Sequence, residues 1–185
     1  MTWRLVLMLW LLPALGWAAE WRLDPATRVV VDVTWQGGVV EVRFPQLSGV
    51  IAFDEVRPET ARARIVVLTR AAETGVGLVD RLVRSRDYLD ADQYPEIVFE
   101  LDRLDRTSPR TAEISGRITL RGVTRPVTFQ ARVIRFGPAA DGAARFEAGF
   151  DLDGAIDRTE FGSTGGLPDV AAVLPVRIRL VMTST

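Results

Sequence analysis

The stretch 113–136, EISGRITLRGVTRPVTFQARVIRF, runs from Glu113 to Phe136 and decides the fold. Before the break RGVTRP, Ile114, Gly116, Ile118 and Leu120 alternate with Ser115, Arg117, Thr119 and Arg121. After it, Val127, Phe129, Ala131 and Val133 alternate with Thr128, Gln130 and Arg132. A period of two puts alternate side chains on opposite faces of a strand. The stretch therefore reads as a hairpin with one apolar face. Arg121 and Arg125 read as surface charges flanking the turn, and Gly122 and Pro126 as residues serving the strand-to-strand geometry.

The same alternation recurs outward from this hairpin. It marks Val29–Val33, Val39–Phe44, Val50–Phe53, Arg62–Val67, Ile97–Asp102, Arg145–Asp153 and Val176–Met182. Turn-rich breaks fall at Gly37-Gly38, Ser108-Pro109, Gly137-Pro138, Asp141-Gly142 and Gly165-Gly166. Roughly eight strands with short connections predict an antiparallel, all-β chain. Apolar-in, polar-out alternation means one face buried and one wet. A two-sheet sandwich and a closed barrel both satisfy that pattern. One segment differs. In Thr74–Ser85, Leu78, Val79, Leu82 and Val83 fall at helical spacing, with Asp80 and Arg84 as an i, i+4 pair. A short amphipathic helix is predicted there, packed on the barrel or set at the mouth of a cavity.

A chain of 185 residues suggests one domain. Residues 1–18 read as a cleaved signal peptide: Arg4, an apolar run over Leu5–Leu15, then Gly16-Trp17-Ala18. The apolar run is short for a spanning helix. Export to the periplasm is expected, with residues 19–185 as the mature domain. A net charge of −1 gives no electrostatic case for a nucleic-acid partner. The chain has no Cys and no His, which removes disulfides, thiolate metal sites, and the commonest general base and metal ligand. All 23 basic residues are Arg, which coding bias explains. Asp87, Asp90 and Asp92 lack the Gly and distal Glu of a Ca²⁺ loop and read as a polar turn. No nucleophile–base set emerges, so the chain reads as a non-enzyme without cofactor or metal.

Five motifs fall in order: WRLDP (Trp21–Pro25), FPQLSGVIAFD (Phe44–Asp54), RSRDYLDADQYPEIVFE (Arg84–Glu100), ISGRITLRGVTRPVTF (Ile114–Phe129) and IDRTEFG (Ile156–Gly162). Each is modest alone, but as an ordered set they resemble the YceI-like family of secreted, lipocalin-like proteins over nearly the whole mature chain. That resemblance implies an eight-stranded antiparallel barrel with a short helix after about the fourth strand. It implies an apolar tunnel for a polyisoprenoid or isoprenoid quinone, and no catalysis. The chain departs from the family pattern at several places. Ala26-Thr27-Arg28 stands where a His-Ser pair is common, His is absent near Trp35 and Leu82, Val79 replaces an Arg, and Glu160 replaces an Asp.

The candidate tunnel lining follows from the apolar stripes. From the first half come Phe44, Ile65, Val67, Ile97 and Phe99, with Leu78 and Leu82 on the helix. From the second half come Ile118, Phe129, Val133, Phe146, Phe150, Ile178 and Leu180. Arg81, Arg84 and Arg158 are the candidates for a polar or anionic head group, because the guanidinium fork suits phosphate oxygens. Trp35 reads as packing. Burying one five-carbon isoprene unit contributes about 3 kcal/mol at about 0.8 kcal/mol per CH₂. A handful of units therefore offsets an association cost of about 4–15 kcal/mol. The partner expected is an isoprenoid lipid or quinone, with transient membrane contact; pairing of two barrels stays open. The alternative is a stress-related adaptor barrel with no ligand, its lumen filled by Phe129, Phe146 and Phe150.

Overall fold

In a computed structural model, the described residues are 19–139 and 145–184. The leader at 1–18 and the Asp141-Gly142 turn lie outside them. The strands are β1 (Ala19–Leu23), β2 (Arg28–Trp35), β3 (Gly38–Arg43), β4 (Leu47–Phe53) and β5 (Arg62–Leu68), followed by helix α1 (Gly77–Arg84). Then come β6 (Glu96–Ser108), β7 (Thr111–Leu120), β8 (Val123–Pro138), β9 (Phe146–Asp157) and β10 (Val173–Ser184).

Ten segments make eight staves. Along β10, Trp21 of β1 faces Ser184 and Val31 of β2 faces Val176, so β1 and β2 lie end to end. β3 and β4 form the next stave in the same way, pairing with β2 and β1. The remaining strands follow as an antiparallel meander, and β10 returns to β1 and β2 to close the barrel. Closure removes the free edges of an open sheet. The break between β1 and β2 is held by Thr27, whose buried hydroxyl donates to Val181 O (2.9 Å) and accepts from Val181 N (3.1 Å). One side chain thus replaces the ladder bonds lost at Pro25.

The 113–136 hairpin is tighter than its sequence suggests. Only Arg121 and Gly122 form the turn, both at positive φ (50° and 73°), and Leu120 pairs directly with Val123. A two-residue turn of this handedness matches the twist of its strands. VTRP therefore belongs to β8. Gly137-Pro138 is likewise strand rather than break, because β8 runs on to Pro138. Nor is Arg121 a mere surface charge: its Nη1 donates to Arg86 O (2.7 Å) and Tyr88 O (2.9 Å), tying the turn to the loop after α1.

The outer wall carries Arg–carboxylate pairs across neighbouring strands. Arg177 pairs with Asp32 (2.7 Å) and Glu41 (2.9 Å), Arg117 with Asp102 (3.1 Å), and Arg179 with Asp151 (3.0 Å). The polar half of the period-two pattern is thereby accounted for. Between β3 and β6 no strand fills the wall at one end. The segment 69–95 covers it instead, bonded to β3 through Arg43 N to Glu73 O (2.8 Å) and its reciprocal (2.9 Å). Helix α1 sits in this cover.

Candidate functional site

The barrel encloses a cavity of about 620 Å³, a normal size for a small-molecule site. The inward half of each alternating pattern forms its wall. From β3 to β6, Phe44, Ile65, Val67, Ile97 and Phe99 line it. From β7 to β10, Ile118, Phe129, Val133, Phe150, Ile178 and Leu180 do so, and α1 adds Leu82.

The cavity is open because its largest rings lie against the wall. An added Cβ at Gly116 would stand 2.6 Å from Phe99 Cε2, and one at Gly154 would stand 2.5 Å from Phe129 Cδ1. Each ring covers an inward-facing glycine on the next strand instead of crossing the lumen. The two rings meet edge to face, 6.0 Å apart, a favoured aromatic geometry. Phe150 packs against Phe53 (6.1 Å) toward one end.

The two ends differ. At the end away from α1, Trp21 packs on Phe53 (6.2 Å) and Phe136 (6.0 Å), and its Nε1 donates to Phe53 O (3.1 Å). Buried Ile51, Ala148 and Met182 complete that plug. On the β6–β7 side of this same end, the exposed Arg106, Ser108 and Thr111 still reach the wall. At the α1 end, the wall passes into solvent at Trp35 (46% exposed) and Leu82 (48%). Gln36, Gly166 and Asp169 complete this rim.

Segment 69–95 is fixed around the rim by specific bonds. Asp80 accepts from Thr74 N (2.6 Å) and Thr74 Oγ1 (2.7 Å), which stabilises the first turn of α1 and holds the Asp80 carboxyl below its usual range. Gly165 N donates to Asp87 O (3.0 Å), and Gln36 N donates to Asp169 O (3.2 Å). The hairpin β2–β3, the loop β9–β10 and the segment after α1 thus form one rim.

Four sequence-nominated residues are not on this wall. Leu78 is 71% exposed, since α1 turns Val79, Leu82 and Val83 toward the cavity instead. Phe146 keeps the inward phase of β9 but lies beyond the barrel's end, 49% exposed and packed at a tilt on Phe136 at 6.1 Å. Arg84 donates from Nε (2.8 Å) and Nη2 (2.6 Å) to Ala72 O, fastening α1 to the chain before it. Arg81 is exposed on α1, away from the wall. Trp35, read as packing, is instead part of the rim.

Arg158 does reach the wall, and it is only 3% exposed. Its Nε donates to Ala171 O (2.8 Å), Nη1 to Ser163 O (2.9 Å) and Nη2 to Val170 O (2.9 Å). Burial pushes this guanidinium's pKa down. The Tyr88 ring lies 5.7 Å from it.

Several wall residues were missed. Val31, Leu101, Ile156 and Val176 simply extend the period-two stripes, so the signal for them was present. Tyr88 and Leu89 follow α1 in a turn with no period, and no sequence pattern marks them. Among the described residues no group of three acidic, His or Cys side chains stands ready to hold a metal ion.

An antiparallel barrel of eight staves around an apolar, lipid-sized cavity defines the class. The YceI-like domain matches residues 21–182, and the chain belongs to this family. A UPF0312 protein of Pseudomonas putida (strain W619) is 31% identical over 152 residues, which is 80% of this chain and 78% of that relative. A UPF0312 protein of Pseudomonas syringae pv. tomato is 30% identical over 125 residues, 68% of this chain; the match spans 64% of that relative's length. Among solved structures, Burkholderia cenocepacia BcnA superposes with a TM-score of 0.75 at 21% identity, covering 86% of this chain and 98% of that one. A polyisoprenoid binding domain from Saccharophagus degradans does so at 0.69 and 18%, covering 92% and 100%. Both share the fold.

Proposed function

We propose that the chain is an exported, periplasmic carrier of an amphiphilic isoprenoid lipid, a polyisoprenoid or an isoprenoid quinone. The observation that carries this reading is the open apolar cavity of about 620 Å³. Its wall has only three charged side chains among the described residues: Arg106, Arg158 and Asp169. Such a wall rewards a long hydrocarbon through buried area alone, at about 0.8 kcal/mol per CH₂. The likeness to a polyisoprenoid binding domain supports the same ligand class. The half-exposed Trp35 and Leu82 give a lipid an apolar path between membrane and lumen during transient contact. No catalytic step is assigned.

Native mass spectrometry before and after organic extraction tests the reading. The expected result is a mass excess that extraction removes and that added isoprenoid quinone restores. A bare mature-chain mass together with no quinone binding would sink it. The ligand-free adaptor required a lumen blocked by Phe129, Phe146 and Phe150. Phe129 lies on Gly154, Phe150 lies toward the plugged end, and Phe146 lies outside.

A further inference from the structure

Exposed apolar side chains gather at the α1 end of the barrel. Trp35 comes from the β2–β3 hairpin, Val76, Leu78 and Leu82 from the segment around α1, and Leu167 from the β9–β10 loop. The bonds between these segments, Gly165 N to Asp87 O and Gln36 N to Asp169 O, hold them around one mouth. Elsewhere exposed apolar residues stand apart on the outer wall, as Val50 does opposite Arg64. Single ones are ordinary; a group of them around an opening marks a surface that meets something.

Charge identifies what that is. Leu78, Arg81 and Leu82 share one face of α1, at i, i+3 and i+4. On the outer wall, arginines such as Arg177 and Arg179 meet carboxylates of neighbouring strands. Arg81 and Arg86 are exposed and form no hydrogen bond or ion pair among the described residues. The carboxylate of α1, Asp80, is committed to Thr74. The rim's other carboxylates, Asp87 and Asp169, stand where the β9–β10 loop joins it. In a two-fold pair of chains meeting through α1, Arg81 would face the same carboxylate-poor helix of its copy. A phospholipid surface offers phosphates to the guanidinium forks and an acyl boundary to leucine and tryptophan.

We propose that the α1 end docks on the surface of an anionic phospholipid bilayer. Trp35, Val76 and Leu78 enter the head-group boundary, Arg81 and Arg86 lie on phosphates, and the lumen opens toward the membrane. This rests on the lipid-carrier reading and deepens it by naming the partner and the face that meets it.

The test is flotation of the mature chain with vesicles of phosphatidylglycerol and phosphatidylcholine. Residues 19–185 hold two tryptophans, Trp21 and Trp35. Trp21 is buried, so a blue shift of emission on docking reports Trp35. The chain should float with the vesicles and show that shift. Arg81→Glu should lower the vesicle partition coefficient at least about tenfold. Arg22→Glu makes the same charge change at an exposed, equally unpartnered arginine of the plugged end, and should hold the coefficient within about threefold. Leu78→Ser should weaken both flotation and the shift. Neither Arg81 nor Leu78 lines the cavity, so uptake of isoprenoid quinone without vesicles should be unchanged in both variants. Equal losses from Arg81→Glu and Arg22→Glu would overturn the choice of face. No flotation of the wild type, with quinone uptake intact, would overturn the docking and leave the carrier reading standing. Flotation without quinone uptake would overturn the carrier reading and keep the docking face. A concentration-dependent dimer that Arg81→Glu breaks, with no flotation, would assign the face to a second copy and overturn the proposal.

Discussion

Trp21 and Trp35 stand on one stave of the barrel, β1 running into β2, and they have opposite fates. Trp21 is buried among Phe53, Phe136 and Met182, with its indole N–H bonded to a carbonyl. Trp35 ends its strand half in solvent and half on the cavity wall. One end of the barrel is therefore built for stability and the other for access. Replacing each by Ala gives the largest contrast. Trp21→Ala should lose about 3–5 kcal/mol, the usual range for removing a buried Trp, read as a fall in the urea midpoint. Trp35→Ala should change stability by less than about 1 kcal/mol yet weaken lipid binding. Equal losses of stability from the two would erase the distinction between the ends.

Between the ends, the lumen depends on ring placement. Gly154→Ala puts a methyl group where the Phe129 ring now lies, 2.5 Å from Cδ1. The ring must swing toward the cavity. Such overpacking costs about 1–3 kcal/mol, and the narrowed lumen should hold a shorter chain. A crystal structure with Phe129 unmoved and full ligand uptake would show that the glycine is not what keeps the tunnel open.

The plugged end and the rim were not equally legible in the sequence. The staves could be read because period two is local: Ile114 to Leu120 and Val127 to Val133 declare their faces without knowing their neighbours. The lining of Ile65, Phe99 and Ile178 followed from the same rule. Where the pattern alone failed, the reason was position along the axis. Phe146 has the right phase at the wrong height, since alternation fixes a face and not an end. Leu78 was misjudged because helical spacing names an apolar stripe, while the edge of it that turns inward depends on how α1 is tethered, through Asp80 to Thr74 and Arg84 to Ala72 O. The carbonyl cage around Arg158 comes from Ser163, Val170 and Ala171, in a loop with no regular period.

Changes at the rim should act on ligand exchange more than on folding. Leu82 is half exposed and lines the cavity. Leu82→Ser should cost less than about 1 kcal/mol in stability, as for an exposed position. It should slow transfer of an isoprenoid quinone from vesicles by removing part of the apolar path. Transfer measured by fluorescence at wild-type rate would place the entry elsewhere, and the exposed stretch of wall at Arg106, Ser108 and Thr111 would become the candidate.

The smallest effect belongs to the outer wall, which both ends share. Asp151 on β9 accepts from Arg179 Nε (3.0 Å) and faces Arg132 (3.6 Å). These contacts, the Arg179 hydrogen bond first, hold its carboxyl below the usual carboxylate range despite some opposing desolvation. A carboxyl whose pKa is lower folded than unfolded adds stability above its unfolded pKa and loses it as pH falls through the folded value. Wild-type stability should therefore decline on the acid side of the ordinary carboxylate range. Asp151→Asn should flatten part of that decline. Its cost near neutral pH should stay within about 1 kcal/mol, because the partner arginines are exposed and salt screens them. Urea midpoints compared across pH for the two chains give the answer. An acid limb of unchanged slope in the variant would show that the Asp151 carboxyl is not a source of the acid decline.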